Sequence, residues 1–360
     1  MNLLKKIILA LMIIAFGGQS FANNKNTNDD KFKPGPFITG HIGDAYEWHI
    51  ATIGETHISV PLLCIVYSEH TGLHAFCSSN LQHGHEYQGF KIAGEGSKYE
   101  NKIVENIDGQ EVRPWDFSIT KNVFALFFSI ALILFIFISM AKNYTKNIGK
   151  APKGFYNLIE PLILFVRDDI CYASIDKKYA DKFLPFLLTV FFFIFINNLL
   201  GLIPIFPGGA NLTGNIAVTC VLAVMVFIIT TFSGKKEYWQ DIFWPKGVPI
   251  WLKIPPIIPA VELMGVFTKP IVLMVRLFAN ITAGHIIALS FFSLIFIFGE
   301  KSMVAGYGTS VVSIIFTVFM SVLELLVAFI QAYVFTLLSA IYFGLAVEEE
   351  HEEHQPVLEK

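Results

Sequence analysis

Seven polar residues stand inside stretches of this sequence that are otherwise fit for lipid: Asn198, Glu262, Arg276, Asn280, His285, Glu324 and Gln331. Arg276 is the most demanding of them. Arginine stays protonated at any accessible pH, and placing it at bilayer depth costs from about 2.5 to over 10 kcal/mol depending on the reference. From Leu277 to Phe298 no Asp, Glu, Lys or Arg follows it. An arginine near a helix end can snorkel to the headgroups. Here, however, polar Asn280, Thr282 and His285 continue into the apolar run, which favours an ion pathway or a buried anionic partner.

The spacing of these groups carries further information. Glu262, Lys269 and Arg276 recur every seven residues, so on a helix they fall on nearly one stripe, whereas His285 projects to the opposite side. Thr317, Ser321, Glu324 and Gln331 share a second stripe further along. Two antiparallel helices bring together residues whose numbers add to a constant. Arg276 with Gln331 gives 607 and His285 with Glu324 gives 609; half of either falls near 304, inside the less apolar stretch Glu300 to Gly308. The register therefore predicts a hairpin with an Arg/Gln level and a His/Glu level. A His titrates near neutrality and burial moves carboxyl groups toward it, so the second level has the groups needed to pass protons. The plainer reading is a static buried pair.

The elements that must position these residues are two long apolar segments, Ala260 to Gly299 and Thr309 to Ala346. Each would be nearly 60 Å long as one helix, about twice the hydrocarbon thickness. The second contains no Gly or Pro from Thr309 to Phe343, which predicts single long helices, tilted or curved. Upstream, helices are expected over about 122–141, 183–203 and 214–232, with an amphipathic helix over about 156–176 lying on the membrane surface. Lys142, Lys146, Lys150 and Lys153, and again Lys235 and Lys236, mark the cytoplasmic side. Asn197 reads as helix-to-helix glue.

Composition agrees. The 360 residues are 54% hydrophobic and only 15% charged, with mean hydropathy +0.57. The expected fold class is an all-α polytopic membrane protein of about five helices, the last two a long tilted hairpin, with a small, mostly β extracytoplasmic domain at the N-terminus. A net charge of −3 with scattered lysines gives no basic patch for nucleic acid. Residues 1–22 have the grammar of a secretory signal, with Lys5 and Lys6, an apolar core Ile7 to Phe16 and a small-x-small site at Ser20 to Ala22. The alternative is an uncleaved first helix. Residues 23–118 form the predicted β domain, 119–347 the membrane domain and 348–360 an acidic cytoplasmic tail. Asp108-Gly109 is a hairpin signal. Cys64 and Cys77 flank the turn at His70 to Gly72 and are expected to pair as a disulfide in an oxidising compartment. Seven histidines lie in this domain, but none has a recognised zinc spacing, and no cofactor or metal is expected.

At this point the residues carry a family resemblance. RLFANITAGH (275–285 region, beginning at Arg276), the ELLVAFIQAYVFTLLSAIY run from Glu324 to Tyr342 and the NNLLGLIP turn at Asn197 to Pro204 resemble subunit a of the F-type ATP synthase. The likeness extends from about Thr120 to His354. It implies a long-helix hairpin wrapped on a c-ring, b-type peripheral stalk subunits, an inner-membrane location and two offset aqueous half-channels with an essential arginine between them. By position the resemblance makes Arg276 that arginine, with Asn280 and Gln331 beside it, Glu262 toward the cytoplasmic half-channel and Asn198 near the other. His285 and Glu324 stand in the order seen in mitochondrial members. Gly201 and Phe206 occupy positions where enterobacterial members carry acids lining the outer channel.

The function so implied is proton conduction to and from a ring carboxylate, non-catalytic in itself, since no phosphate-cradling Gly-Lys-Ser/Thr loop occurs. A sodium-translocating version and a free-standing ion transporter are the alternatives. An intramembrane metallohydrolase built on His285 and Glu324 would need about three ligands, and no HExxH occurs.

Overall fold

A computed structural model of the chain describes residues 34–53, 56–94, 96–107, 109–146, 148, 154–203, 206–244 and 257–349. The signal-like segment 1–22 and all of the acidic tail beyond Glu349 lie outside the described residues. Among the described residues five helices are long and apolar enough to cross a membrane. In chain order, with the shorter helices included, they are α1 (Pro34–Ile42), α2 (Lys121–Lys146), α3 (Tyr156–Phe165), α4 (Lys177–Leu202), α5 (Ile216–Ser233), α6 (Lys236–Phe243), α7 (Ile257–Lys301) and α8 (Met303–Val347).

The two last helices are longer than expected. Each has 45 residues, about 68 Å at 1.5 Å per residue, and α7 runs uninterrupted through Pro270. Only Ser302 separates them. The turn thus falls inside the stretch 300–308 but consumes almost none of it, because hydrogen bonds from Ser302 N to Phe298 O and from Gly306 N to Ser302 O carry the backbone through it. Gly306 is required here: a Cβ on it would lie 2.8 Å from the Gly299 Cα. The predicted surface helix is α3, continued by a π-helical turn (Val166–Cys171) and a closing α-turn (Tyr172–Ser174).

The described residues group into two compact units. One runs to Phe124 and takes in 206–210 and Ser293–Thr309; the other holds the rest of the helical segments. Within the first unit, eight short strands form three small antiparallel sheets: β1 (Glu47–Ile53) with β2 (Thr56–Pro61); β3 (Leu63–Ser68) between β4 (Gly72–Cys77) and β8 (Trp115–Asp116); and β6 (Ile103–Ile107) between β5 (Phe90–Ile92) and β7 (Gln110–Val112). The expected turns are present. Ser68 pairs with Gly72 and its Oγ accepts the His70 and Thr71 amides; Ile107 pairs with Gln110 around Gly109, whose φ of +78° suits glycine. Alternate residues of β3 point into a core of Tyr46, Cys64, Val66, Phe76, Leu81, Phe90 and Ile103. Each large apolar side chain buried there contributes roughly 1.5–3 kcal/mol.

The expected Cys64–Cys77 disulfide does not form; both thiols are free. The register explains it. Cys64 pairs with Phe76 and Leu63 with Cys77, so the two cysteines sit one rung apart and face opposite sides of the sheet. Cys64 is fully buried and Cys77 is exposed. Burial, followed by the nearby Asp116 carboxylate, pushes the Cys64 thiol up to about 12.

The β unit grips the start of α2. Asp44 accepts hydrogen bonds from Thr120 Oγ1 (2.8 Å) and the Asn122 amide (3.0 Å), satisfying orphan donors at the helix N-terminus. Lys121 adds a bond from its ammonium to His41 O and from its amide to Ala45 O.

In the second unit the apolar core comes from α4 and the C-terminal half of α8, with Phe183 stacked on Phe343 at 4.9 Å. Lipid tails are as apolar as leucine, so such helices associate through close packing rather than the hydrophobic effect. Many residues of α8 that face inward are accordingly small, Ala328, Ala332, Ser339, Ala340 and Ala346 among them, with Phe335 and Phe343 filling the space between. Gly344 is the extreme case, since a Cβ there would come within 2.1 Å of Ser174 O.

Candidate functional site

The His/Glu level forms as the register requires. His285 Nδ1 lies 3.6 Å from Glu324 Oε1, with both side chains largely enclosed. Contacts above and below fix the same antiparallel alignment: Phe291 stacks on Phe316 at 5.1 Å, and Lys269 Nζ lies 5.6 Å from the Tyr342 ring. From the turn inward these pairs add to 607, 609 and 611, a slow drift expected of two helices that cross at a small angle. The drift puts Arg276 level with residues near Val334, about one turn beyond Gln331. Among the described residues no hydrogen bond joins Arg276 to Gln331.

The faces separate only in part as the phase predicts: Lys269, expected on the stripe of Glu262 and Arg276, is half-buried and approaches Tyr342 of α8. Arg276 is exposed on α7, as is Glu262, while Leu273 and Leu277 of the same helix are buried. His285 instead turns toward α8. Gln331 is buried on α8. Arg276 and Tyr342 are within electrostatic reach of each other.

Asn198, Asn280, His285 and Glu324 line one small recess, bounded by Leu202, Ile281, Gly284, Val327 and Ala328. Four of the seven candidates therefore meet, and Arg276, Gln331 and Glu262 stand outside. Asn198 is held from both ends of its amide: its Nδ2 donates to Ala328 O (3.3 Å), and its Oδ1 accepts from Thr213 Oγ1 (2.5 Å). Thr213 belongs to a turn in which Asn211 Oδ1 accepts the Gly214 amide and Gly214 O accepts from Thr282 of α7. Asn197 donates back to Phe193 O of its own helix (2.7 Å) and is no part of the recess.

Two residues central to this arrangement were not singled out by sequence. Gly284 is the first. A Cβ on it would lie 2.9 Å from Glu324 Oε1 and 3.3 Å from Glu324 Cγ, so its bare backbone is what lets the carboxyl group lie against α7. Its position beside His285, and opposite Glu324 in the same register, was the available signal. Thr213 is the second, and nothing in a polar turn distinguishes it until the amide it orients is known.

Glu324 Oε1 is buried and makes no hydrogen bond among the described residues. It thus keeps a free acceptor facing an imidazole that is itself able to donate or accept. Such a pair can pass a proton over a short shift, and can hold only one at little electrostatic expense.

Comparison with known proteins bears on this geometry directly. A family model described as ATP synthase A chain matches residues 123–344. The chain belongs to that family. It is 45% identical over 254 residues to ATP synthase subunit a 2 of Chlorobaculum tepidum, covering 68% of each chain. It is 42% identical over 271 residues to ATP synthase subunit a of Chloroherpeton thalassium (73% of this chain, 76% of the relative), and 40% identical over 247 residues to that of Myxococcus xanthus (66% and 77%). With its apolar helices, membership makes this a multi-pass membrane protein and a component of an ATP synthase complex. A second model, described as a domain of unknown function, matches residues 37–117, nearly the whole β unit.

Proposed function

We propose that this chain is the proton-conducting stator of the synthase membrane sector, taking protons through two half-channels to and from a carboxylate on a ring of c subunits. The observation that carries this reading is the separation of roles on α7. His285 and Glu324, 3.6 Å apart, share an enclosed recess with Asn198 and Asn280, while Arg276, nine residues and about 13.5 Å along the axis, stands on the exposed face. The recess supplies a proton-exchanging pair, which favours H⁺ over Na⁺ as the coupling ion. The exposed arginine supplies a fixed charge for a partner that slides past.

A ring carboxylate crosses lipid only when protonated. Opposite Arg276 its ionised form is favoured, so the proton leaves to one half-channel and a new one arrives from the other. On this reading Glu262 serves the cytoplasmic mouth, Asn280 and Gln331 each stand about one helical turn from the level of the arginine, and Asn198 serves the outer side. In this arrangement the β unit is periplasmic, the C-terminus is cytoplasmic, b-type stalk subunits hold the chain against rotation, and ATP chemistry belongs to partner subunits.

Proteoliposomes carrying the assembled complex test it. Arg276→Ala should abolish ATP synthesis driven by an imposed proton gradient and raise passive proton flux, because nothing then separates the half-channels. Arg276→Lys should also fail, since a compact ammonium lacks the planar fork. Replacing Na⁺ by K⁺ should leave the unmodified rate unchanged. Synthesis near the unmodified rate in Arg276→Ala would remove the basis for the assignment.

A further inference from the structure

The outer face of one small sheet in the β unit reverses the usual pattern. An antiparallel sheet with one wet side alternates apolar-in and polar-out, and β3 does turn Cys64 and Val66 into the core. Its outward residues, however, are Leu63, Ile65 and Tyr67, and the register sets Cys77, Ala75 and Leu73 of β4 beside them on the same face. On the other flank Trp115 of β8 pairs with Tyr67, and the Phe117 amide donates to Ile65 O (2.9 Å). None of these outward residues carries a charge or an amide. Leu73 is 68% exposed, Trp115 63% and Phe117 65%, so the face has no cover within the described residues.

The place of this face along the chain points to its occupant. The segment that carries Trp115 and Phe117 leads directly into α2, the first membrane-crossing helix among the described residues. The Ile119 amide donates to Leu63 O (2.9 Å), and Lys121 begins α2 two residues later, at most about 7 Å along the chain. α2 has 26 residues, about 39 Å against a hydrocarbon core of about 30 Å, so its first residue falls at headgroup depth. The Leu63 end of the face therefore lies beside that level. Exposed aromatic side chains flanking a membrane helix are the composition of the interfacial belt, and α2 goes on to expose Phe127 and Phe135 along its own length. A protein occupant fits less well, because three strands about 4.8 Å apart and six residues long give roughly 300 Å². A stable interface needs about 800 Å² from each partner.

We propose that this face lies on the bilayer surface, with Leu63, Trp115 and Phe117 seated among lipid headgroups and upper acyl chains. The β unit then meets the membrane twice, through its covalent junction with α2 and through the sheet, and the second contact fixes its attitude where the chain enters lipid. The proposal needs only that α2 spans a membrane, so it stands or falls separately from the proton pathway.

Cys77 puts a native probe on the face itself. It is exposed, Cys64 and Cys171 are buried, and the other exposed cysteine, Cys220, is removed by Cys220→Ser. The complex is labelled with bimane in detergent and returned to vesicles of phosphatidylcholine and phosphatidylglycerol, with or without bromine on the upper acyl-chain carbons. A complex that also carries Cys77→Ser, treated alike, gives the background from other subunits. Bromolipid should quench the Cys77 label, and iodide on both sides of the membrane should not. Trp115→Glu together with Phe117→Glu, both at exposed positions, should reverse the two results. Quenching by iodide on the unmodified face would show it wet and overturn the proposal. Protection from both quenchers would overturn the lipid in favour of a protein cover, either a second copy or another subunit. Bromolipid quenching unchanged in the double variant would overturn the part assigned to this face.

Discussion

Gly284→Ala isolates the contact on which the His285/Glu324 pair depends. The added methyl group would stand 2.9 Å from Glu324 Oε1, 3.3 Å from its Cγ and 3.5 Å from its Cδ. Ordinary carbon-oxygen contact begins near 3.4 Å, so the carboxyl group must retreat by roughly 0.5 Å or more, and misplacement by 1 Å can lower a rate by about 10²-fold. Retreat from α7 also lengthens the 3.6 Å approach of His285 Nδ1 toward or beyond 4 Å. We expect proton-driven ATP synthesis to fall on the order of tenfold on that scale. Stability should fall by at most about 2.5 kcal/mol, because Ala for Gly in a helix interior gains about 0.5–1 kcal/mol while overpacking costs about 1–3. The assay is synthesis in proteoliposomes beside the thermal midpoint of the complex. Full activity in Gly284→Ala, with normal assembly, would refute the claim that proton transfer needs the carboxyl group seated against α7.

Exchanging His285 and Glu324 together should retain more proton transport than the worse single exchange, because each single exchange faces two like groups; a double change no better than additive would show that the two do not couple. Maleimide should label exposed Cys77 in the folded protein and reach Cys64 only after denaturation, since its thiol is buried and pushed up to about 12; resistance of both to labelling until reduction would contradict the free thiols. Glu349, bound by Lys235, Tyr179 (2.6 Å) and Lys178 (3.3 Å), is held down to about 2 by these hydrogen bonds. Its folded value is depressed, so its clasp on the end of α8 is complete above the unfolded carboxyl range near 4.5 and is lost as pH falls toward 2. Protection of amides 345–349 against exchange, measured relative to the intrinsic rate at each pH, should therefore fall over that window in the unmodified chain and already be low at neutral pH in Glu349→Gln.

Much of the membrane unit was legible because lipid simplifies the code. A helix of 45 residues repeats its phase many times, so a single pair total located both the turn and the His/Glu level. The same arithmetic was less sure for Arg276 and Gln331, because the helices drift relative to one another and small errors accumulate away from the turn. Helix ends were underestimated: this helix was expected from about residue 183, yet α4 begins at Lys177 with Asp176 as its cap. The cysteine pair failed for the opposite reason. In a strand the side-chain period is two, and an offset of one rung, invisible in the spacing of Cys64 and Cys77, sends the thiols to opposite faces.

On the proton pathway proposed above, the recess also bears on the outer half-channel and the acids that relatives carry there. With Gly201 and Phe206 in place of carboxyl groups, the sequence left that lining without an evident proton carrier. Thr213 and Ala328 O orient the Asn198 amide beside the His285/Glu324 pair, and on that proposal these neutral groups take the place of the acids. Amides and hydroxyls do not exchange charge with a passing proton, but they bind and align water, which conducts it. Such a lining needs fewer buried charges than one of carboxylates, and it concentrates titration in the single pair that faces it. On this argument the side chain to remove is Thr213, not an acid. Thr213→Val keeps the volume, frees the Asn198 carbonyl to turn, and should slow synthesis most when external proton supply is limiting, at high outer pH. A uniform loss at every pH would instead mark Thr213 as a packing residue.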